Sequence, residues 1–237
     1  RVHIAVDPLE GTNLCATGAA DAMSVIAIAE DGQFLNAPDT YMEKIAAGPQ
    51  AGKVINLDAP VKVNIKRTAK VLKKKVSDIT VCILDRERHK NLIEEVRRAG
   101  ARVRLITDGD VAGGIATCMP EDGIDLLMGV GGSTEAVLAA AAIKILGGQI
   151  MCRFRPQDKY HAALITRHRL SAKKIYRAND LARGRRLTFT ATGVIDGPLL
   201  PGVIFRGAMI ITHSVVMRAS SGTIRYITTH HHGVNSK

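Results

Sequence analysis

The run ITVCIL (79–84), DRERHKNLIEEVRRAG (85–100), ARVRLITDGD (101–110), VAGGIATCMPEDG (111–123), IDLLMGVGGSTE (124–135) and AVLAAAAIKILGGQI (136–150) decides the fold. Short β-branched stretches alternate in it with helical ones. Ile79–Leu84 has the composition of a strand, while the apolar residues of His89–Ala99 fall at helical spacing and Gly100 supplies a stop. The pattern then repeats twice. A strand Val103–Ile106 enters Thr107-Asp108-Gly109-Asp110 and a helix through Cys118; a strand Ile124–Val130 enters Gly131-Gly132-Ser133-Thr134 and a helix Glu135–Leu146. Such alternation predicts a parallel sheet with crossover helices. Ligands of these sheets sit at the carboxyl ends of the strands, so the loops after Leu84, Ile106 and Val130 are expected to converge on one crevice.

Upstream, Arg1 to about Val76 reads as α+β: an apolar strand over Arg1–Val6, a hairpin-like pair of Met23–Ala29 and Gln33–Leu35 around Glu30-Asp31-Gly32, and a basic helix Ile65–Lys75 that would bridge two parts. Downstream, Leu187–Ala191, Val203–Phe205, Met209–Met217 and Gly222–Thr228 read as short strands completing a second sheet. The expected division is an α+β part at 1–76 and an α/β part at 77–237. The opening strand is apolar on both faces and starts without Met, so an N-terminal portion ahead of it is expected.

The 237 residues carry 33 Lys+Arg against 22 Asp+Glu, a formal charge of +11, with 46% apolar residues. That apolar share supports a buried core and excludes disorder as the dominant state. Uncharged runs such as Ala136–Ile143 fall well short of the ~20 residues of a membrane span. The basic excess concentrates in Arg153–Arg186, with eleven Lys/Arg against two acids. Nucleic acid is nonetheless disfavoured as a partner, because aromatics amount to 3% and do not interleave with the basic residues. Cys15, Cys82, Cys118 and Cys152 lie far apart without a CxxC pair and read as buried, reduced thiols of a cytoplasmic protein. His230-His231-His232 is expected in an exposed tail.

Asp7-Pro8-Leu9-Glu10-Gly11-Thr12 puts two carboxylates and a hydroxyl on a tight loop at a strand end. Hard oxygen donors there suit Mg²⁺ or Mn²⁺, and Gly11 lets backbone N–H groups approach a phosphate; the plainer reading is a turn in which Asp7 and Thr12 cap backbone donors. Gly129–Glu135 is a glycine loop entering a helix, with Glu135 in its first turn, where a carboxylate either completes a metal site or meets the helix dipole. Asp108-Gly109-Asp110 offers acceptors for sugar hydroxyls or caps for the next helix. Arg86-Glu87-Arg88-His89 offers an arginine pair to grip a phosphate, or a solvated helix start.

Taken in order, DPLEGT, FLNAPDTYMEK, RERH, DGDVA with TCMP, GVGGSTE and FTATG resemble the class II fructose-1,6-bisphosphatases, including those that also take sedoheptulose 1,7-bisphosphate. The resemblance runs from the first residue to about Thr228. DPxEGT alone marks only the wider lithium-sensitive sugar-phosphatase superfamily; the ordered set is far more specific. The resemblance implies an α/β fold, a layered αβαβα sandwich, and a metal-dependent phosphatase removing the 1-phosphate of fructose 1,6-bisphosphate. It implies Mn²⁺ or Mg²⁺ as cofactor, with Asp7, Glu10 and Glu135 as ligands. Glu10, Gly11 and Thr12 would hold the 1-phosphate, and Thr12, with Asp7, would serve the attack of water. Tyr41, Arg86, Glu87 and Arg88 would lie at the 6-phosphate end, and Asp108, Gly109, Asp110 and Gly132 along the sugar. The implied partner is a sugar bisphosphate, and the implied assembly a homodimer or homotetramer.

Two departures qualify it. The family's N-terminal segment, which adds an Asp and a Glu to a second metal position, is not in this sequence; its loss from the protein would leave activity severely reduced. The stretch from Pro156 to Lys173 is also shorter than in the family. A catalytically inactive structural or regulatory homologue is therefore an alternative, opposed by the joint presence of Asp7, Glu10, Thr12 and Glu135. An inositol-monophosphatase-like enzyme is another, opposed by Arg86, Arg88 and Tyr41 standing ready for a second phosphate.

Overall fold

A helix that is apolar all round must be buried on every side, and the stretch Ala136–Ile143 meets that condition. In the computed structural model, which describes residues 1–233, all eight of these residues are buried. In chain order the described elements are β1 (Val2–Glu10), α1 (Thr12–Thr17), β2 (Met23–Glu30), β3 (Tyr41–Ala47), α2 (Val61–Leu72), β4 (Thr80–Leu84), α3 (Lys90–Arg98), β5 (Arg102–Ile106), α4 (Asp110–Ala116), β6 (Leu126–Gly132) and α5 (Ser133–Ile145). They continue with β7 (Gln149–Phe154), α6 (Lys159–Arg167), β8 (Tyr176–Arg177), α7 (Ala178–Leu181), β9 (Thr188–Gly193), β10 (Ile204–Arg206), β11 (Met209–Arg218) and β12 (Thr223–His231).

Two six-stranded sheets result. The first runs β1-β2-β9-β11-β10, with β12 also on β11, all antiparallel; the second runs β5-β4-β6-β3-β7-β8. Helix α5 packs against both. One core lies between the sheets, joining Val25, Ala27, Phe189 and Val215 to α4, α5 and Cys82, Leu127 and Cys152. A second core lies on the opposite face of the second sheet, where Ile65, Ile93 and Val96 of α2 and α3 meet Ile45, Ile79, Val81 and Ile83. The layers are helix, sheet, helix, sheet. This is the expected α/β sandwich, with four of its five layers among the described residues. On the remaining face of the first sheet, Val2, Ile4 and Val6 are more than half exposed.

Several expectations change. The second sheet is not purely parallel: β3 inserts antiparallel between β6 and β7, because a strand arriving from the first sheet needs no crossover to enter there. Strand pairing accordingly does not follow a cut near residue 76, since β9 to β12 join β1 and β2 while β3 joins the second sheet. No hairpin forms over Gln33–Leu35. β2 pairs with β1 and β9 instead, and Phe34 turns into the core and bridges to Ala182. Among the described residues β1 pairs on one side only. The basic helix begins after Pro60 and ends at Lys73, whose φ of 54° stops it; it packs on the second sheet, leaving Lys74 and Lys75 outside. His230 and His231 are not tail but the end of β12, opposite Ile211 and Ile210. All four cysteines are free, yet only Cys82 and Cys152 are fully buried; Cys15 and Cys118 are half-buried. No helix among the described residues is long and apolar enough to cross a membrane.

Candidate active site

The carboxyl ends of β4, β5 and β6 meet the end of β1, and a cavity of about 360 Å³ lies between them. Its lining includes Glu10, Tyr41, Arg86, Arg88, Asp108, Gly109, Asp110, Gly132 and Glu135, nine of the residues singled out in the sequence. Asp39, Thr40, Leu84, Gly131 and His161 line it too.

The β1 end is irregular. Pairing with β2 shifts between Asp7 and Glu10, and Gly11 follows at φ 80°, the left-handed region that glycine adopts without penalty. The bulge turns Glu10 inward, where its Oε1 accepts a hydrogen bond from Val111 N–H (3.0 Å) at the start of α4. Burial drives the Glu10 carboxyl well above its ordinary pKa. Asp110, a hydrogen bond with Asp7 and the charge of Glu135 push the same way, and the Val111 N–H opposes them. Thr12, the first residue of α1, and Gly11 stand beside this group rather than on the cavity wall.

Gly109 (φ 82°) makes the corresponding turn after β5. It sends Asp110 into the interior, 2.6 Å from the Nζ of Lys44, while Asp110 Oδ1 is buried without a partner. Asp108 stays nearer the surface. It accepts hydrogen bonds from Asn13 Nδ2 (3.2 Å) and backbone N–H (3.4 Å) and stands 3.7 Å from Arg86.

The glycines of the third loop make room for these carboxylates. A Cβ on Gly131 would stand 1.8 Å from Asp110 Oδ2, and one on Gly132 would stand 1.9 Å from Glu135 Oε2. Ser133, at the start of α5, is tied to Pro38 O, and its N–H donates to Thr40 O (2.8 Å), which anchors the loop to the segment carrying Tyr41. Arg88 donates through Nε and Nη2 to Val130 O (3.2 and 2.8 Å), and its guanidinium lies over the Tyr41 ring, 5.5 Å from the centroid.

Glu87 stands apart from the site: its side chain is 82% exposed and pairs with Lys90 at 2.8 Å. In the other direction, sequence reasoning passed over Lys44, His89 and His161. His89 is buried, with Nδ1 2.7 Å from Leu84 O and Nε2 accepting Val130 N–H at 2.8 Å. That pair of contacts fits a neutral ring. Burial, aided by Arg88 and Arg86, lowers its pKa. Lys44 carried a usable signal, a cation that alternation puts on the same face of β3 as the apolar Met42 and Ala46.

Among the described residues, no three His, Cys, Asp or Glu side chains are gathered closely enough to hold an ion as they stand. The donor set still fits a hard divalent cation. Asp7, Glu10 and Glu135 offer oxygen only, the charges of Asp110 and Glu135 add to the burial that raises Glu10, and Asp110 Oδ1 is buried without a partner.

The model of the family described as "Bacterial fructose-1,6-bisphosphatase, glpX-encoded" matches residues 1–231. A D-fructose 1,6-bisphosphatase class 2/sedoheptulose 1,7-bisphosphatase of Synechococcus sp. (strain JA-2-3B'a(2-13)) is 41% identical over 244 residues, covering 98% of this chain and 70% of the relative. A fructose-1,6-bisphosphatase class 2 of Haemophilus influenzae is 39% identical, covering 98% of this chain and 73% of its own length. With a match of that extent over the same loops that build the cavity, the chain belongs to the glpX-encoded family of bacterial fructose-1,6-bisphosphatases.

Proposed function

We propose that the protein hydrolyses the 1-phosphate of fructose 1,6-bisphosphate, giving fructose 6-phosphate and phosphate, and acts on sedoheptulose 1,7-bisphosphate by the same chemistry. The observation that carries this reading is the polarity of the cavity. Its wall carries the carboxylates of Glu10, Asp108, Asp110 and Glu135 together with Arg86, Arg88 and Tyr41, and Arg86 stands 3.7 Å from Asp108. A polyol that carries two phosphates calls for both kinds of group, carboxylates for its hydroxyls and for a cation, and guanidinium groups for a phosphate.

Asp7, Glu10 and Glu135 would hold a divalent cation, Mn²⁺ or Mg²⁺, which when bound polarises a phosphoryl oxygen and lowers the pKa of water. The remaining work falls to the chain itself. Gly11 and Thr12 take the 1-phosphate with backbone N–H groups at the start of α1, and the Thr12 hydroxyl orients the attacking water. Water oxygen bonds to phosphorus as the bond from phosphorus to the sugar oxygen breaks, and that oxygen leaves with a proton. Asp108 and Asp110 accept from sugar hydroxyls, for which Asp110 Oδ1 has a free lone pair. Arg86 and Arg88 hold the distal phosphate. Arg88 is aimed by its hydrogen bonds to Val130 O.

The reading includes a cytoplasmic location, with which four free thiols agree. It also includes a homodimer or homotetramer, supported by the large exposed side chains of Phe205 and Tyr226 on β10 and β12.

The test is phosphate release from fructose 1,6-bisphosphate with and without Mn²⁺ or Mg²⁺, beside Asp7→Asn. Metal-dependent turnover that the substitution abolishes is expected. A folded protein inactive with either ion would overturn the reading.

A further inference from the structure

Helix α6 brings to the cavity a residue that the sequence left without a role. Asp158 caps the helix: its Oδ1 accepts the backbone N–H of His161 at 2.8 Å. The same oxygen stands 2.8 Å from Nδ1 of the His161 ring. One carboxylate thus starts the helix and fixes the imidazole, which donates through Nδ1. The nitrogen left over is Nε2, which has no hydrogen-bond partner among the described residues. The ring lines the same cavity as Tyr41, Arg86 and Arg88. It meets the Tyr41 ring edge-on at 6.4 Å between centroids, and Tyr41 in turn lies under Arg88. His161, Tyr41 and Arg88 therefore form a continuous wall, and the His161 side chain is only 21% exposed.

The ring is a half-buried part of the cavity wall, with one nitrogen held by a carboxylate. The charged and titratable groups around it are Asp158 and Tyr160 on its own segment, Asp39 and Tyr41 on the β3 side, and Arg86 and Arg88 after β4. Nothing in this wall accepts from Nε2, while a phosphate held by the two arginines would. With one side of the ring fixed by the Asp158 carboxylate, the other side is presented to that phosphate.

We propose that His161, oriented by Asp158, is a specificity-determining contact for the distal phosphate, donating from Nε2 when protonated and tilting the enzyme toward bisphosphates. The inference rests on the bisphosphatase reading and extends its distal-phosphate site by one residue that acts with pH. Asp158 is a positioning residue: it touches the ring, not the substrate.

The test measures binding of fructose 6-phosphate, which keeps only the distal phosphate, by calorimetry at pH 6.5 and 8.5. Wild type is compared with His161→Gln and with Asp158→Asn, whose asparagine still caps α6. Loss of one charge-assisted hydrogen bond predicts about tenfold weaker binding for His161→Gln at pH 6.5, with the gap closing at pH 8.5. Asp158→Asn should weaken binding in the same direction and by less. Equal affinities at pH 6.5, or an equal deficit at both pH values, overturns the inference. Wild-type turnover of fructose 1,6-bisphosphate is assayed alongside. Turnover with binding indifferent to His161 sinks this inference alone, and absence of turnover sinks the bisphosphatase reading and this inference with it.

Discussion

The ammonium of Lys44 stands 2.6 Å from Asp110 Oδ2, with 2% and 7% of the two side chains exposed, directly beneath Gly131. Burial alone would push Lys44 toward the neutral amine. The Asp110 and Glu135 carboxylates outweigh it and hold the ammonium above its ordinary range. The pair is ionic, and it fixes one oxygen of Asp110 while the other looks for a partner. Lys44→Met removes the cation and strands a buried carboxylate, which costs about 3–5 kcal/mol. Urea unfolding should show that loss, and the double variant with Asp110→Asn should recover part of it, because the orphan charge is then gone.

Gly131 and Gly132 present the same steric problem with opposite outcomes. A Cβ on Gly131 collides with Asp110 Oδ2, which Lys44 pins in place, so Gly131→Ala should destabilise the fold by about 2–3 kcal/mol. A Cβ on Gly132 meets Glu135 Oε2, the far end of a flexible side chain, and Gly132 has an ordinary φ of −64°. Gly132→Ala should leave the unfolding midpoint within about 0.5 kcal/mol of wild type while displacing the Glu135 carboxylate. Phosphate release should then fall at least tenfold with stability kept. A stable and fully active Gly132→Ala would remove Glu135 from the site.

Periodicity and turn chemistry made the second sheet legible: Gly100, Gly109 and the Gly131-Gly132 pair sit where strands β4 to β6 and their helices begin and end. The loops at those strand ends did converge, because the parallel strands β4, β5 and β6 have their carboxyl ends on one edge of the sheet. What sequence could not supply was long-range pairing. Nothing local in Tyr41–Ala47 says that it lies between β6 and β7, and nothing near Gln33 says that its partner is Arg183, 150 residues on. His89 and His161 escaped for the same reason, since each is defined by what it touches across the fold. Val130 is the partner of the first and the wall of Tyr41 that of the second.

His89 and Arg88 hold one residue through its two flanking peptides: Nε2 of His89 accepts Val130 N–H, and Arg88 donates to Val130 O. His89→Ala would leave Leu84 O and Val130 N–H buried without partners, at about 1–3 kcal/mol each before any water enters. A total loss of about 2–4 kcal/mol is expected by chemical denaturation. The loop after β6 also loses its anchor, so kcat/KM for fructose 1,6-bisphosphate should fall further than stability alone would dictate. A variant destabilised but unchanged in kcat/KM would mean that the loop is held by Arg88 alone.

Asp21 provides a pH test outside the cavity. It is half-buried at φ 85°, and its carboxyl accepts no hydrogen bond among the described residues. Burial raises its pKa from 3.8 to about 6, with Asp122 adding to the shift and Arg104 opposing it. Between those values the folded protein keeps a proton that the unfolded chain has lost. Stability therefore falls as pH rises through that window, and the whole penalty persists above about 6. Solvent access reduces it to about 1–2 kcal/mol. Asn tolerates the left-handed backbone and keeps the N–H bond to Asp196 O (2.9 Å). Asp21→Asn should thus be more stable than wild type by about that amount at pH 7.5 and equal to it near pH 4, as read from urea midpoints at both pH values. A gain of the same size at both would show that the substitution acts through packing and not through the proton.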